Sequence, residues 1–97
     1  MQIGTVLSNN AGQPPTESRI AVVATYNPES GVATVTATLP APLAVGQTCR
    51  VGAYEVDPLN GPQQATFDQF TNEGQSEFNV EFVYTPGRQV LLFAAVQ

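Results

Sequence analysis

The segment EFNVEFVYTPGRQVLLFAAV, residues 77–96, decides the fold. From Glu77 to Phe82, polar and apolar side chains alternate strictly. A period of two is typical of a β-strand with one face in the core and the other in water. The pattern therefore predicts a strand from Glu77 to Tyr84. We expect its buried row to consist of Phe78, Val80, Phe82 and Tyr84.

The second half of the segment begins with a turn and continues as a strand that is apolar on both faces. Thr85–Arg88 has Pro and then Gly at its central positions, which is the chemistry of a type II turn. The strands on either side of this turn are predicted to form a terminal hairpin. Because neither face of Gln89–Val96 is polar, each face must be shielded from water by other residues. We expect the core to cover one face and an arm or a neighbouring subunit to cover the other.

The rest of the chain shows weaker signals of the same kind, separated by turns rich in Pro and Gly. Strands are predicted at residues 3–7, 19–26, 32–39, 48–56 and 65–70. The second and third of these should pair as a hairpin around Asn27–Gly31, and Asp57–Pro62 is a further turn. No window has the 3.6-residue period of a helix. The spacing predicts an all-β fold, an antiparallel Ig-like β-sandwich of about seven strands (residues 18–97) behind an extended N-terminal arm (residues 1–17).

The composition excludes several classes of function. The chain has no His and no Trp, and its basic residues are Arg19, Arg50 and Arg88 within a net charge of −5. Three scattered arginines cannot neutralise a row of phosphates. The composition therefore argues against binding to nucleic acid and against binding to an anionic membrane surface. No stretch approaches the ~20 apolar residues of a transmembrane helix. The N-terminus lacks the basic and apolar regions of a signal peptide.

Cysteine chemistry is equally restricted. Cys49 has no second cysteine to pair with. Its alternating neighbours Val51 and Ala53 indicate a small buried apolar residue rather than a reactive thiol. Transition metals need several His or Cys ligands, and nucleophilic catalysis needs a base beside the nucleophile. We therefore predict no catalytic, cofactor-binding or metal-ligating residue, and no enzyme activity.

Pairs of carboxylates are the remaining candidates for acid–base chemistry. Glu77 and Glu81 share a face but lie about 13 Å apart along a strand, beyond the ~5 to 9.5 Å of glycosidase pairs. Glu55 and Asp57 would be about 7 Å apart on one strand. Asp57 opens a turn, however, where solvated acids are far commoner than catalytic pairs. Asp57 and Asn60 could offer oxygens to calcium, but their spacing matches no calcium loop.

The two clearest strand pairs resemble those of a known class of proteins. The segments are IAVVATY with VATVTAT, at residues 20–26 and 32–38, and FNVEFVY with VLLFAAV, at residues 78–84 and 90–96. Together with the uncharged arm, they resemble the small Ig-like β-sandwich modules of tailed-phage virions, which include capsid decoration (cement) proteins. The resemblance implies a virion-surface protein made in the host cytoplasm.

Two functional hypotheses follow. In the first, the chain is a non-enzymatic cement protein that stabilises a virion shell by binding the major capsid protein or another large assembly. It would act as a homo-oligomer, a trimer or dimer, without nucleic acid or membrane. Its predicted protein-interface residues are Ile3, Val6, Leu7, Leu91, Phe93 and Ala95. The alternative is an adhesion or carbohydrate-binding module that uses loop carboxylates and the rings of Tyr26, Tyr54 and Tyr84, although a Tyr at a strand end more often packs its ring and wets its hydroxyl.

Overall fold

The computed structural model describes residues 2–5 and 20–97, and all regular structure in these two ranges is β-strand. The strands, in chain order, are β1 (Gln2–Thr5), β2 (Ala21–Asn27), β3 (Val32–Thr38), β4 (Cys49–Asp57), β5 (Gly61–Phe70), β6 (Glu77–Val83) and β7 (Gln89–Val96). Each segment between residues 18 and 97 that was predicted to be a strand overlaps one of the strands β2 to β7.

The strands form two antiparallel sheets. The smaller sheet has the order β2-β3-β6, and the larger sheet has β4 between β5 and β7. β1 adds to the larger sheet beside β7, in parallel orientation. The prediction of an all-β fold with antiparallel sheets is confirmed for the described residues, and the hairpin of β2 and β3 pairs as predicted.

One hydrophobic core lies between the two sheets. The predicted buried row of β6 lies in it, together with one alternating row each of β3 and β7, and the largest fully buried side chains include Phe78, Leu92 and Val35. Phe78 also stacks on Phe70 of the larger sheet, with ring centroids 4.9 Å apart. Because the alternating rows of both sheets meet in this layer, burial of apolar surface holds the sheets together.

The predicted terminal hairpin is wrong. β6 pairs with β3, whereas β7 pairs with β4 in the other sheet. The turn between them has the expected local form, with Gly87 at a φ of 89° and the Arg88 N–H donating to the Thr85 carbonyl at 3.3 Å. The two strands bury their apolar rows in the core from opposite sides, so the turn crosses between the sheets.

The beginning of β5 also differs from the prediction. The strand starts at Gly61, not near Ala65, and pairs with β4 along Gly61–Phe70. It lies at the edge of its sheet, where Pro62 can be tolerated because its missing N–H need not bond a neighbour. The register with β4 shifts between Ala53 and Tyr54, so that Ala65 is an extra residue and forms a bulge. Most of its side chains are exposed, so no one-sided apolar pattern marked the strand.

Candidate functional site

The predicted interface residues of β7 lie together on the outer face of the larger sheet. Val90, Leu92 and Ala94 belong to the core, so the alternating residues Leu91, Phe93 and Ala95 point to the other side. In the register with β4, these three residues lie opposite Tyr54, Gly52 and Arg50, respectively. These three residues therefore belong to a surface that continues across the sheet.

Phe67 of β5 extends this surface across β4. It pairs with Gly52, and a Cβ built on Gly52 would lie 3.2 Å from the Phe67 ring and 2.8 Å from the Thr66 carbonyl oxygen. The glycine therefore leaves the space in which the Phe67 ring lies, and Phe93 flanks it on the other side. We call the set Gly52, Tyr54, Phe67, Leu91, Phe93 and Ala95 the outer apolar surface.

The outer apolar surface carries little charge. Among the outward positions of β4, β5 and β7, Arg50 is the charged side chain, and none is a carboxylate. Phe67 is 37% exposed, whereas Leu91 and Phe93 are half-buried. Ala95 is only 8% exposed although it lies outside the core cluster. This face is thus apolar, carries little charge and is partly exposed to solvent.

Arg50 adds an unsatisfied donor to the rim of this surface. Its Nε atom is buried and has no hydrogen-bond partner among residues 2–5 and 20–97. A buried donor without an acceptor is costly to stability. The guanidinium group is suited to a carboxylate or a carbonyl oxygen.

The other half of the predicted interface can be placed only in part. Ile3 lies in β1, and its backbone is opposite Val90 in the parallel register. β1 and β7 are therefore neighbours, as a shared interface requires. Val6 and Leu7, like most of the predicted arm, lie outside the described residues.

The Glu55 and Asp57 carboxylates meet at one end of the fold, where Arg88 lies between them. An Arg88 Nη atom is 3.8 Å from the nearest oxygen of each carboxylate. Glu55 is 8% exposed and accepts a hydrogen bond from the Thr85 N–H at 3.0 Å. These contacts tie the end of β4 to the turn between β6 and β7, which is a structural role.

Asp57 also organises the turn that follows β4. Its Oδ1 accepts hydrogen bonds from the N–H groups of Leu59 at 2.8 Å and Asn60 at 3.3 Å. These two bonds, with a further contribution from Arg88, lower the pKa of Asp57 below its ordinary value. Asn60 thus directs its main-chain N–H toward the carboxylate. No group of three or more His, Cys, Asp or Glu that could hold a metal ion occurs in the part of the chain that the structure describes.

The three tyrosines do not form one sugar-binding platform. Tyr26 and Tyr84 pack edge to face, with centroids 5.2 Å apart and an interplanar angle of 72°. The Tyr84 hydroxyl donates to the Arg88 carbonyl at 2.8 Å, so its polar end is already bonded. Tyr54 lies in the outward row of β4, on the other side of the larger sheet.

Two features remain, a cavity and the thiol of Cys49. A cavity of about 280 Å³ lies at the opposite end of the fold from Arg88; its lining consists of Ile20, Leu39, Pro40, Ala41, Pro42, Gln47 and Val96. It contains no charged side chain among the described residues. Cys49 is fully buried, as the sequence predicted, and burial raises the pKa of its thiol to about 11. The thiol therefore stays protonated and protected at neutral pH.

Comparison of the chain with protein-family models, with curated proteins and with solved structures finds no match. Within residues 2–5 and 20–97, no helix has the length and apolar character needed to cross a membrane. The function is therefore inferred from the chain's own residues, and the outer apolar surface is the candidate site. The sequence alone missed Gly52 and Phe67, although a glycine inside a strand is itself a sign of close approach.

Proposed function

We propose that the protein is a non-enzymatic structural module, with an Ig-like sandwich of about seven strands, that binds a larger protein assembly as a capsid decoration (cement) protein. The observation that carries this proposal is the outer apolar surface. It crosses three strands, presents Phe67, Leu91 and Phe93, and has no carboxylate although the chain carries a net charge of −5.

The physical basis of binding would be burial of this surface at a seam between subunits. Burial of apolar area contributes roughly 25 cal/mol per Å² before the costs of association. A single module of this size can bury only a modest apolar area when it binds. Many copies on a symmetric shell repeat the contact, and a homo-oligomer adds multivalency without new contacts. The resemblance of the strand segments to those of virion accessory modules supports the major capsid protein as partner and the virion surface as location.

The test is binding to shells assembled from the major capsid protein of a tailed phage, the partner proposed here. The variant Leu91→Gln/Phe93→Gln removes apolar surface that lies outside the core cluster. A second variant, Phe67→Gln, changes a residue that is more exposed than those two. Val83→Gln is the matched control, because Val83 is 76% exposed on the outer side of the smaller sheet. We expect the first two variants to lose at least tenfold in affinity by co-sedimentation, and the control to bind like the wild type.

Two results would overturn the proposal. One is a folded wild-type chain that does not bind the shells at all. The other is equal loss of binding in Val83→Gln, which would move the contact to the smaller sheet. A glycan array with and without calcium is run in parallel. Glycan binding without shell binding would replace the cement function with the adhesion or carbohydrate-binding alternative.

A further inference from the structure

The edges of the two sheets differ in how they are protected from pairing with another strand. Proteins usually guard such edges with charges, prolines, bulges or short strands. The edge strand β5 has Pro62, Asp68 and a bulge. The edge strand β6 carries Glu77 and Glu81. β1, beside β7, is a short strand.

β2 has none of these devices. Its sequence AVVATYN contains no charge, no Pro and no Gly, and it pairs residue for residue with β3 along its whole length. None of the described strands pairs with its other edge. Val23 is 57% exposed on the outer side, and Ala24 and Tyr26 are only half-buried on the inner side. A regular, uncharged and partly uncovered edge is suited to accept a further strand.

We propose that this edge binds a second copy of the chain, with the two β2 strands antiparallel about a two-fold axis at Ala24. The two smaller sheets would then join into one continuous sheet. In this register, Val23 of each copy lies opposite Thr25 of the other, and Val22 lies opposite Tyr26. Both are pairs of β-branched or aromatic residues that stabilise neighbouring strands.

The charge pattern favours a second copy as the occupant. A two-fold interface places each surface against itself, so a surface whose charges all have one sign meets the same sign on the other copy. The chain carries a net charge of −5, and self-pairing through β6 would bring the carboxylates of two copies together. β2 brings no charge, and its outward neighbours Thr34 and Thr36 on β3 are neutral. Self-association is therefore least opposed at β2.

This inference deepens the proposed function, because it names the surface by which the homo-oligomer forms. It uses the smaller sheet and leaves the outer apolar surface of the larger sheet free. Loss of self-association and loss of shell binding can therefore be separated by experiment. A pairing of single strands is small beside a standard interface of roughly 1,600 Å², so we expect association in the micromolar range.

The experiment compares two variants at the same exposed positions by sedimentation velocity over a range of concentrations. Val23→Glu/Thr25→Glu places two pairs of like charges directly across the interface. Val23→Lys/Thr25→Glu places two pairs of opposite charges there instead. We expect the first to weaken the dimer by about tenfold or more and the second to keep or tighten it, since charged cross-strand pairs act with both signs.

Gln63→Glu/Asn72→Glu is the control for net charge, because it adds two carboxylates at exposed positions away from β2. It should dimerise nearly as the wild type does, and circular dichroism should show that all variants fold. A wild type that stays monomeric at every concentration would overturn the inference. Equal behaviour of the like-charge and opposite-charge variants would overturn it as well.

Discussion

At the scale of single residues, three charged groups of this chain have a structural role. Glu55, Asp57 and Arg88 form a cluster that joins a strand end to two turns. The sequence placed Glu55 and Asp57 near each other but gave no reason to add Arg88, which is distant along the chain. Only the fold brings the three together, since the turn after β6 carries Arg88 back over the end of β4. The contacts give this carboxylate pair a structural role.

The pKa of Asp57 predicts how stability depends on pH. Hydrogen bonds from Leu59 and Asn60, aided by Arg88, lower this pKa below its ordinary value of 3.8. Such a carboxylate stabilises the fold above its unfolded pKa, and the contribution is lost as the pH falls through the folded pKa. Asp57→Asn should therefore be less stable than the wild type at pH 7, and the gap should close below the ordinary pKa.

Urea unfolding at a series of pH values, followed by circular dichroism, measures this gap. Glu73→Gln, in the turn after β5, removes one negative charge elsewhere and serves as the control. A gap between Asp57→Asn and the wild type that stays constant from neutral to strongly acidic pH would contradict the assigned role.

At the scale of elements, a strand can be predicted from the sequence when one of its faces is buried and the other is exposed. β3 and β6 each bury one row of side chains, so their alternation marked both the strand and its inward face. β5 is exposed on most of its length, and its start was therefore missed. β7 pairs with β4, which is distant along the chain, instead of with its neighbour β6. The apolar character of these strands is too similar for the sequence to distinguish the two pairings. The local turn after β6 fits either a hairpin or a crossing between sheets, so the sequence could not decide.

The contact of β5 across β4 gives a second stability test. Gly52→Ala would place a methyl group 2.8 Å from the Thr66 carbonyl oxygen and 3.2 Å from the Phe67 ring. The backbone oxygen cannot move without shifting β5. We expect a loss of about 1–3 kcal/mol in the free energy of unfolding, as for other overpacked sites.

Gln69→Ala is the control, because Gln69 is exposed on the same strand as Phe67. Its effect should stay within about 0.5 kcal/mol. If Gly52→Ala unfolds at the same urea concentration as this control, the close approach of β5 to β4 is not as described.

At the scale of the whole molecule, the distribution of charge separates two faces. The outer side of the smaller sheet has threonines and the two glutamates of β6, and it is a solvated surface. The outer side of the larger sheet is apolar and has no carboxylate among the described outward positions. The sequence predicted half of this contrast from the two-faced β7. It could not predict that Phe67 would join from β5, since that depends on the register across Gly52.

The central claim is that the outer apolar surface is the face that meets the partner. Hydroxyl-radical footprinting of the free chain and of the shell-bound chain tests it most directly. The account predicts that oxidation of Phe67 and Phe93 falls several-fold on binding, while oxidation of Val83 on the other sheet stays unchanged. Unchanged oxidation of both phenylalanines in the bound state, with protection of Val83 instead, would contradict it.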